Sequence, residues 1–151
     1  MRICFVCLGN ICRSPAAAAV FARKARDAGL AVTVESAGTS RYHLGEDAHP
    51  NTLEEAARRG VAIEHRARQF TADDFGRFDL VVAMDESNRR ALRDLAPDDE
   101  ARSKIVLLRS FATGGDHDVP DPWGLPPSAY STMFNIIETA CDGLVADVAA
   151  R

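Results

Sequence analysis

No stretch of this sequence stays apolar long enough to cross a bilayer. The N-terminal run Ile3 to Leu8 stops at Gly9-Asn10, far short of the roughly 20 apolar residues a spanning helix needs. It also lacks the shape of a secretory leader, so a cytoplasmic chain with no membrane insertion is expected. Positive charge is not in excess. Eighteen Lys and Arg stand against 22 Asp and Glu, a formal net charge of −4. The overall field therefore repels nucleic acid and anionic membranes, and any phosphate recognition must rest on a local site. Cysteine is scarce and crowded: of four, three fall at positions 4, 7 and 12 and the last at 141. A secreted disulfide framework would spread them out, so reduced thiols are expected. Repeats and low-complexity tracts are missing too. What is present is an ordinary globular mixture, 46% hydrophobic and 26% charged over 151 residues. That is enough for one domain, residues 1–151, able to bury roughly 70% of its unfolded surface.

Hydrophobic periodicity divides the chain into alternating strands and helices. Ile3 to Cys7 is a continuous apolar run that reads as a strand buried on both faces. Ser14 as N-cap and Pro15 at the first helical position open a helix that Gly29 stops. Ala31 to Ser36 alternates as a second strand, and Asn51-Thr52-Leu53-Glu54 resembles a capping box for a helix ending at Gly60. Leu80 to Met84 is a third strand, with Asp85 capping a helix through Leu95. Ile105 to Leu108 is a fourth. Tyr130, Phe134, Ile137, Cys141, Leu144 and Val148 then form one stripe of a long final helix. The expected fold is α/β, a four-stranded parallel sheet with helices on both faces. Gly114 to Ser128 stands apart, with four of the seven prolines in 15 residues. A loop that long and that stiff suggests function.

Chemistry concentrates at the first turn, Cys7-Leu8-Gly9-Asn10-Ile11-Cys12-Arg13-Ser14-Pro15. Ligands of open parallel sheets bind beyond the carboxyl ends of the strands. A curled loop there, closed by a helix N-terminus, aims backbone N–H groups at an anion. A helix N-terminus and an arginine both favour the thiolate form of a cysteine, which makes Cys7 the candidate nucleophile. Arg13 offers a planar fork able to grip two phosphoryl oxygens, which lysine would not. No Gly-Lys-Ser/Thr follows, so this is not a nucleotide-binding Walker loop.

The loop and its surroundings resemble the low-molecular-weight protein tyrosine phosphatases. Val6 to Pro15 matches that family's signature, and the resemblance continues through Ser36-Ala37-Gly38-Thr39, His65 to Gln69, Met84 to Asn88 and Asp121-Pro122. It implies that Cys7 is the nucleophile, Arg13 the phosphate clamp and Asp121 the general acid and base. Leu8, Gly9, Asn10, Ile11, Cys12 and Ser14 would form the phosphate-binding loop, with Ser36 and His65 in its supporting network. Tyr42 and Trp123 would wall a cleft for a phosphotyrosine-containing protein substrate. The acid assignment has independent support. Expelling a phenolate needs a proton donor, and Asp121, between Pro120 and Pro122, is the most conformationally restricted carboxyl of that loop. Asp116 and Asp118 read as ordinary turn formers, Asp118 facing solvent. No metal-ligand spacing occurs, and neither metal nor other cofactor is expected.

The other cysteines and basic residues carry weaker readings. Cys4 and Cys7 are three apart on a strand and point to opposite faces, so Cys4 is expected in the core, as is Cys141. Cys12 shares the curled loop with Cys7, and the resemblance implies reversible oxidative protection by a Cys7–Cys12 disulfide. His43, His49 and His117 read as surface residues, with His43 a weak rim candidate. Arg58-Arg59 and Arg89-Arg90 read as solvated helix faces. Trp123-Gly124 departs from the family's commoner paired aromatics after Asp-Pro. Three other functions compete: a thiol-dependent arsenate reductase, a phosphocysteine carrier and an inactive binding module. The first needs two cysteines beyond Cys12, where only Cys141 exists. Arg13 and Asp121 argue against the other two, which need no hydrolytic equipment.

Overall fold

A computed structural model describes residues 1–151. Its centre is β1 (Arg2–Cys7), whose residues from Ile3 to Cys7 are all buried. The chain then forms α1 (Arg13–Asp27), β2 (Thr33–Gly38), α2 (Pro50–Arg58), β3 (Leu80–Ala83), α3 (Glu86–Leu95), α4 (Asp99–Ser103), β4 (Ile105–Leu107) and α5 (Pro127–Ala149). The strands lie in the order β2-β1-β3-β4 and every pairing is parallel. Strand order thus reverses at β1, opening a crevice beyond the ends of β1 and β3, where such sheets bind ligands.

Alternation along the strands divides the core in two. Ile3, Phe5, Leu80, Val82 and Met84 join residues of α1 and α5 in the larger cluster. Cys4, Val6, Val81 and Ala83 face the other way, against Leu92 of α3, Ala101 of α4 and Phe75. Helices therefore cover both faces of the sheet, as parallel strands require. All six apolar positions expected along the final helix are buried, joined by Met133 and Ala140.

Boundaries differ where tertiary contacts overrule local signals. The second strand begins two residues later and runs to Gly38, because its register pairs Cys7 with Gly38. Helix α1 begins at Arg13 with Cys12 as its N-cap, so the Ser14 hydroxyl is not spent on capping. In α2 the cap is His49, whose Nδ1 accepts from the Asn51 N–H, and Pro50 takes the first helical position in place of an Asn51 capping box. His49 also stacks on Tyr130, centroids 5.1 Å apart, and is only partly exposed. Asp85 does cap α3, accepting from Asn88 N at 2.7 Å. Helix α4 is too short for its five residues to carry a helical period, though Asp98 caps it. Arg59 is not solvated either. It bonds Glu55 in α2 and Glu138, Ser131 and Asn135 in α5, and lies over the Phe134 ring.

Helix α5 approaches the turn after β4 without clearance. A Cβ added at Gly143 would stand 1.9 Å from the Phe111 carbonyl oxygen. Ala in place of Gly raises intrinsic helix stability by about 1 kcal/mol, but an overpacked contact costs about 1–3 kcal/mol or more. Gly143→Ala is expected to lower the thermal unfolding midpoint. A midpoint equal to or above that of the parent protein would show that helix and turn part freely.

Candidate active site

β1 delivers Cys7 to the floor of the crevice, and residues 8–12 curl over it into α1. The curl depends on Asn10, whose φ of 57° is the one left-handed non-glycine conformation in the chain. Asparagine tolerates that region better than most residues, and here the strain is held by a full set of bonds. Asn10 Nδ2 donates to Ser14 Oγ (2.8 Å) and Ser36 Oγ (3.0 Å), while Oδ1 accepts from Arg68 N (3.0 Å). Its carbonyl accepts from His65 Nε2. Gly38 passes directly beneath. A Cβ there would lie 2.8 Å from the Leu8 carbonyl oxygen, so only glycine fits.

The bonds have a direction. Because Arg68 N fixes the Asn10 amide and Nδ2 donates to Ser14 Oγ, the serine's own hydrogen is left for Cys7 Sγ, 3.0 Å away, or for the more distant Ala37 carbonyl at 3.4 Å. The Asn10 N–H reaches the same sulfur at 3.3 Å. Two donors therefore converge on the sulfur, the arrangement that stabilises an anion there. Burial of His65 holds its imidazole below the ordinary value, so it is a neutral Nε2–H donor.

Arg13 is 3% exposed and still charged. Burial opposes that charge, but Cys7, Asp85 and Asp121 outweigh it and raise the guanidinium further. Nη1 donates to Asp85 Oδ2 (2.6 Å) and to the Val119 carbonyl (3.0 Å). The opposite edge, Nε and Nη2, has no hydrogen-bond partner within the protein, and Nη2 lies 3.7 Å from Asp121 Oδ2. Asp121 itself is half exposed, its Oδ1 accepting from Trp123 N at 3.1 Å.

These groups share a cavity of about 400 Å³. Cys7, Cys12 and Arg13 line its base; Leu8, Ile11, Tyr42 and Trp123 its walls; His43 and Asp121 its rim. Tyr42 and Trp123 project outward, 76% and 60% exposed. Gly124 follows at φ 81° in a turn closed by Leu125 N on Pro122 O, a position that disfavours a second aromatic. Cys12 sits against the Tyr130 hydroxyl, and burial pushes its thiol up to about 11. Cys4 and Cys141 are fully buried and their thiols are pushed up further.

Sequence reasoning missed three supports. Asp85, expected as the cap of α3, also grips Arg13 with its second oxygen. The Val119 carbonyl and the Arg68 backbone carry no side-chain signal at all. Asp118 does not face solvent: its Oδ1 accepts from Glu86 N at the start of α3 (3.0 Å). The signal for Asp85 was its place at the end of β3, beside the reversal of strand order.

The family model described as "Low molecular weight phosphotyrosine protein phosphatase" matches residues 2–151. A low molecular weight protein-tyrosine-phosphatase of Streptomyces coelicolor is 48% identical, covering 97% of this chain and 93% of that protein. The crystal structure of a protein tyrosine phosphatase from Entamoeba histolytica superposes with a TM-score of 0.95 at 34% identity, over 99% of this chain and 97% of the other. The YwlE arginine phosphatase, in a variant with a phosphorylated active-site serine, superposes with a TM-score of 0.91 at 30% identity, over 99% and 96%.

His65 makes the loop sensitive to acid. Its folded pKa lies below its ordinary value near 6.5, so the unfolded chain binds its proton first as pH falls. Stability therefore rises with pH through that window and is lost on descending from about 6.5 toward the folded pKa. Urea midpoints measured from pH 7 to pH 5 should fall more steeply in the parent protein than in His65→Gln. Parallel slopes would remove His65 from the account.

Proposed function

The chain belongs to the low molecular weight phosphotyrosine protein phosphatase family, and from that premise we propose that it hydrolyses phosphotyrosine through a phosphocysteine on Cys7. One observation carries the reading: Cys7, the unbonded edge of Arg13 and the Asp121 carboxyl open into a single cavity. Cys7 Sγ attacks phosphorus in line as the bond to the phenolic oxygen breaks. The Nε and Nη2 edge of Arg13 and the loop amides not directed at the Cys7 sulfur hold the other three oxygens. Asp121 gives its proton to the departing phenolate. The resulting carboxylate then takes a proton from water, whose oxygen attacks phosphorus and releases Cys7 as thiolate. Ser14 donates to that sulfur in both steps. The phosphoserine variant of the arginine phosphatase supports a covalent route on this fold.

The cavity favours an aryl ester over a phosphorylated guanidine. Leu8, Ile11, Tyr42 and Trp123 suit a flat apolar ring, and Asp121 is the only carboxylate lining it, already facing Arg13. An arsenate reductase relay is disfavoured because Cys141, the only later cysteine, is buried in the core between α1 and α5.

Cys7→Ser is expected to abolish turnover of p-nitrophenyl phosphate while inorganic phosphate still binds, because serine keeps the shape without the thiolate. Undiminished turnover would reject the nucleophile. Asp121→Asn should cost roughly 10²–10⁴-fold with a poor leaving group and far less with a strongly acidic phenol. Arg13→Lys keeps the charge but loses the fork, and its loss should fall mainly on kcat.

Cys12 supplies a separate proposal. Peroxide converts the Cys7 thiolate to a sulfenic acid, and the Cys12 thiol displaces water from it to close a disulfide. A dithiol should restore the oxidised parent enzyme but not oxidised Cys12→Ser. Equal recovery of the two would reject the pairing.

A further inference from the structure

The loop that carries Asp121 has no helix or strand between β4's closing turn and α5, so its shape depends on a few ties. Two are at Val119: its N–H donates to the Met84 carbonyl (2.8 Å), and its own carbonyl accepts from Arg13. The other pair is at Asp118. Its Oδ1 sits on Glu86 N at the first turn of α3, where a helix favours a carboxylate. Its carbonyl accepts from Arg109 Nη1 at 2.7 Å, a short charge-assisted bond. Arg109 belongs to the 3-10 turn Leu108–Phe111 directly after β4, and its side chain is 22% exposed. It therefore ties the loop to the sheet.

We propose that Arg109 is a positioning residue for proton transfer, holding the Asp118 carbonyl so that the Asp121 carboxyl stands over the cavity. Only Val119 and Pro120 lie between the tie and the acid. Pro120 has a fixed φ, and Asp121 is restricted by Pro122 after it. Few free dihedrals separate the two, so a shift at Asp118 is passed on to Asp121. Before the tie, residues 113–117 are exposed; Asp116 Oδ1 accepts from Asp118 N (3.3 Å) and Oδ2 lies 3.7 Å from Arg109 Nη1, so the upstream contact is anchored by the same arginine. Arg109 touches neither the nucleophile nor Arg13. The inference rests on Asp121 being the acid.

The experiment measures kcat/KM of Arg109→Met on two aryl phosphates, one with a weakly acidic phenol and one with a strongly acidic phenol. A displaced acid should cost roughly 10–100-fold with the first and little with the second. Inhibition by inorganic phosphate should be unchanged, since Arg13 keeps its Asp85 brace and its unbonded edge. Arg109→Lys should recover part of the loss. The double variant Arg109→Met with Asp121→Asn should be no slower than Asp121→Asn alone, because a residue acting only through Asp121 has nothing further to lose. Equal losses on both esters, additive losses in the double variant, or no loss would each overturn the proposal. Should Arg109→Met not fold, Arg109→Gln is read by the same criteria. If Asp121→Asn itself lacks leaving-group dependence, the acid assignment falls and takes this proposal with it. If Asp121→Asn shows that dependence and the Arg109 variants do not, only the role of Arg109 is lost.

Discussion

A guanidinium buried at the reversal point of a parallel sheet must have its charge answered, and the architecture around Arg13 follows from that need. An uncompensated buried cation costs several kcal/mol. Asp85 at the end of β3, the Val119 carbonyl and the Asp121 carboxyl meet it from two different segments. One side chain thus joins the start of α1, the start of α3 and the acid loop. Its hydrogen bonding is divided unevenly: Nη1 serves the protein, and the Nε and Nη2 edge faces the cavity. The proposed clamp and the internal brace are opposite edges of one plane, a division lysine could not make.

The curled loop meets the opposite problem. Asn10 is polar, 1% exposed and left-handed, three features that each cost free energy alone. It persists because every polar atom of its amide and its carbonyl has a partner, drawn from Ser14, Ser36, Arg68 and His65. Such a network is rigid while complete and fragile once broken. Its direction, from the Arg68 backbone through Asn10 and Ser14 to Cys7, turns packing into a donor aimed at the sulfur. The acid loop is built on different terms. Prolines and a handful of ties hold Asp121 half exposed on the cavity, where the proposed acid would meet both a leaving group and water.

Most of the architecture was legible in the sequence because its signals were local. Three apolar runs, one alternating strand, the Asp85 cap and the stripe from Tyr130 to Val148 each lie within one element, so local pattern exposed them. So did the strand–loop–helix frame of Cys7, Arg13 and Ser14, whose chemistry depends on neighbours in sequence. The boundaries that moved were those set by partners elsewhere. Thr33 to Gly38 took its limits from the register with β1, and α2 took His49 as cap because that ring also stacks on Tyr130.

What the sequence determined by itself was the inventory: an α/β chain, a thiol at the end of a buried strand, an arginine at a helix mouth and a stiff loop with carboxyls. What tertiary structure decided was which atoms of those residues meet. Asp85 looked like a cap and is also the brace of Arg13, because its two oxygens serve different partners. Asp118 looked like a turn former and instead seats on α3. Arg59 looked solvated and joins two helices. In each case one side chain touches residues 32 to 79 positions away, and no local pattern encodes a bond across that distance. Folding brings such partners within 3 Å only when the whole sheet is in register.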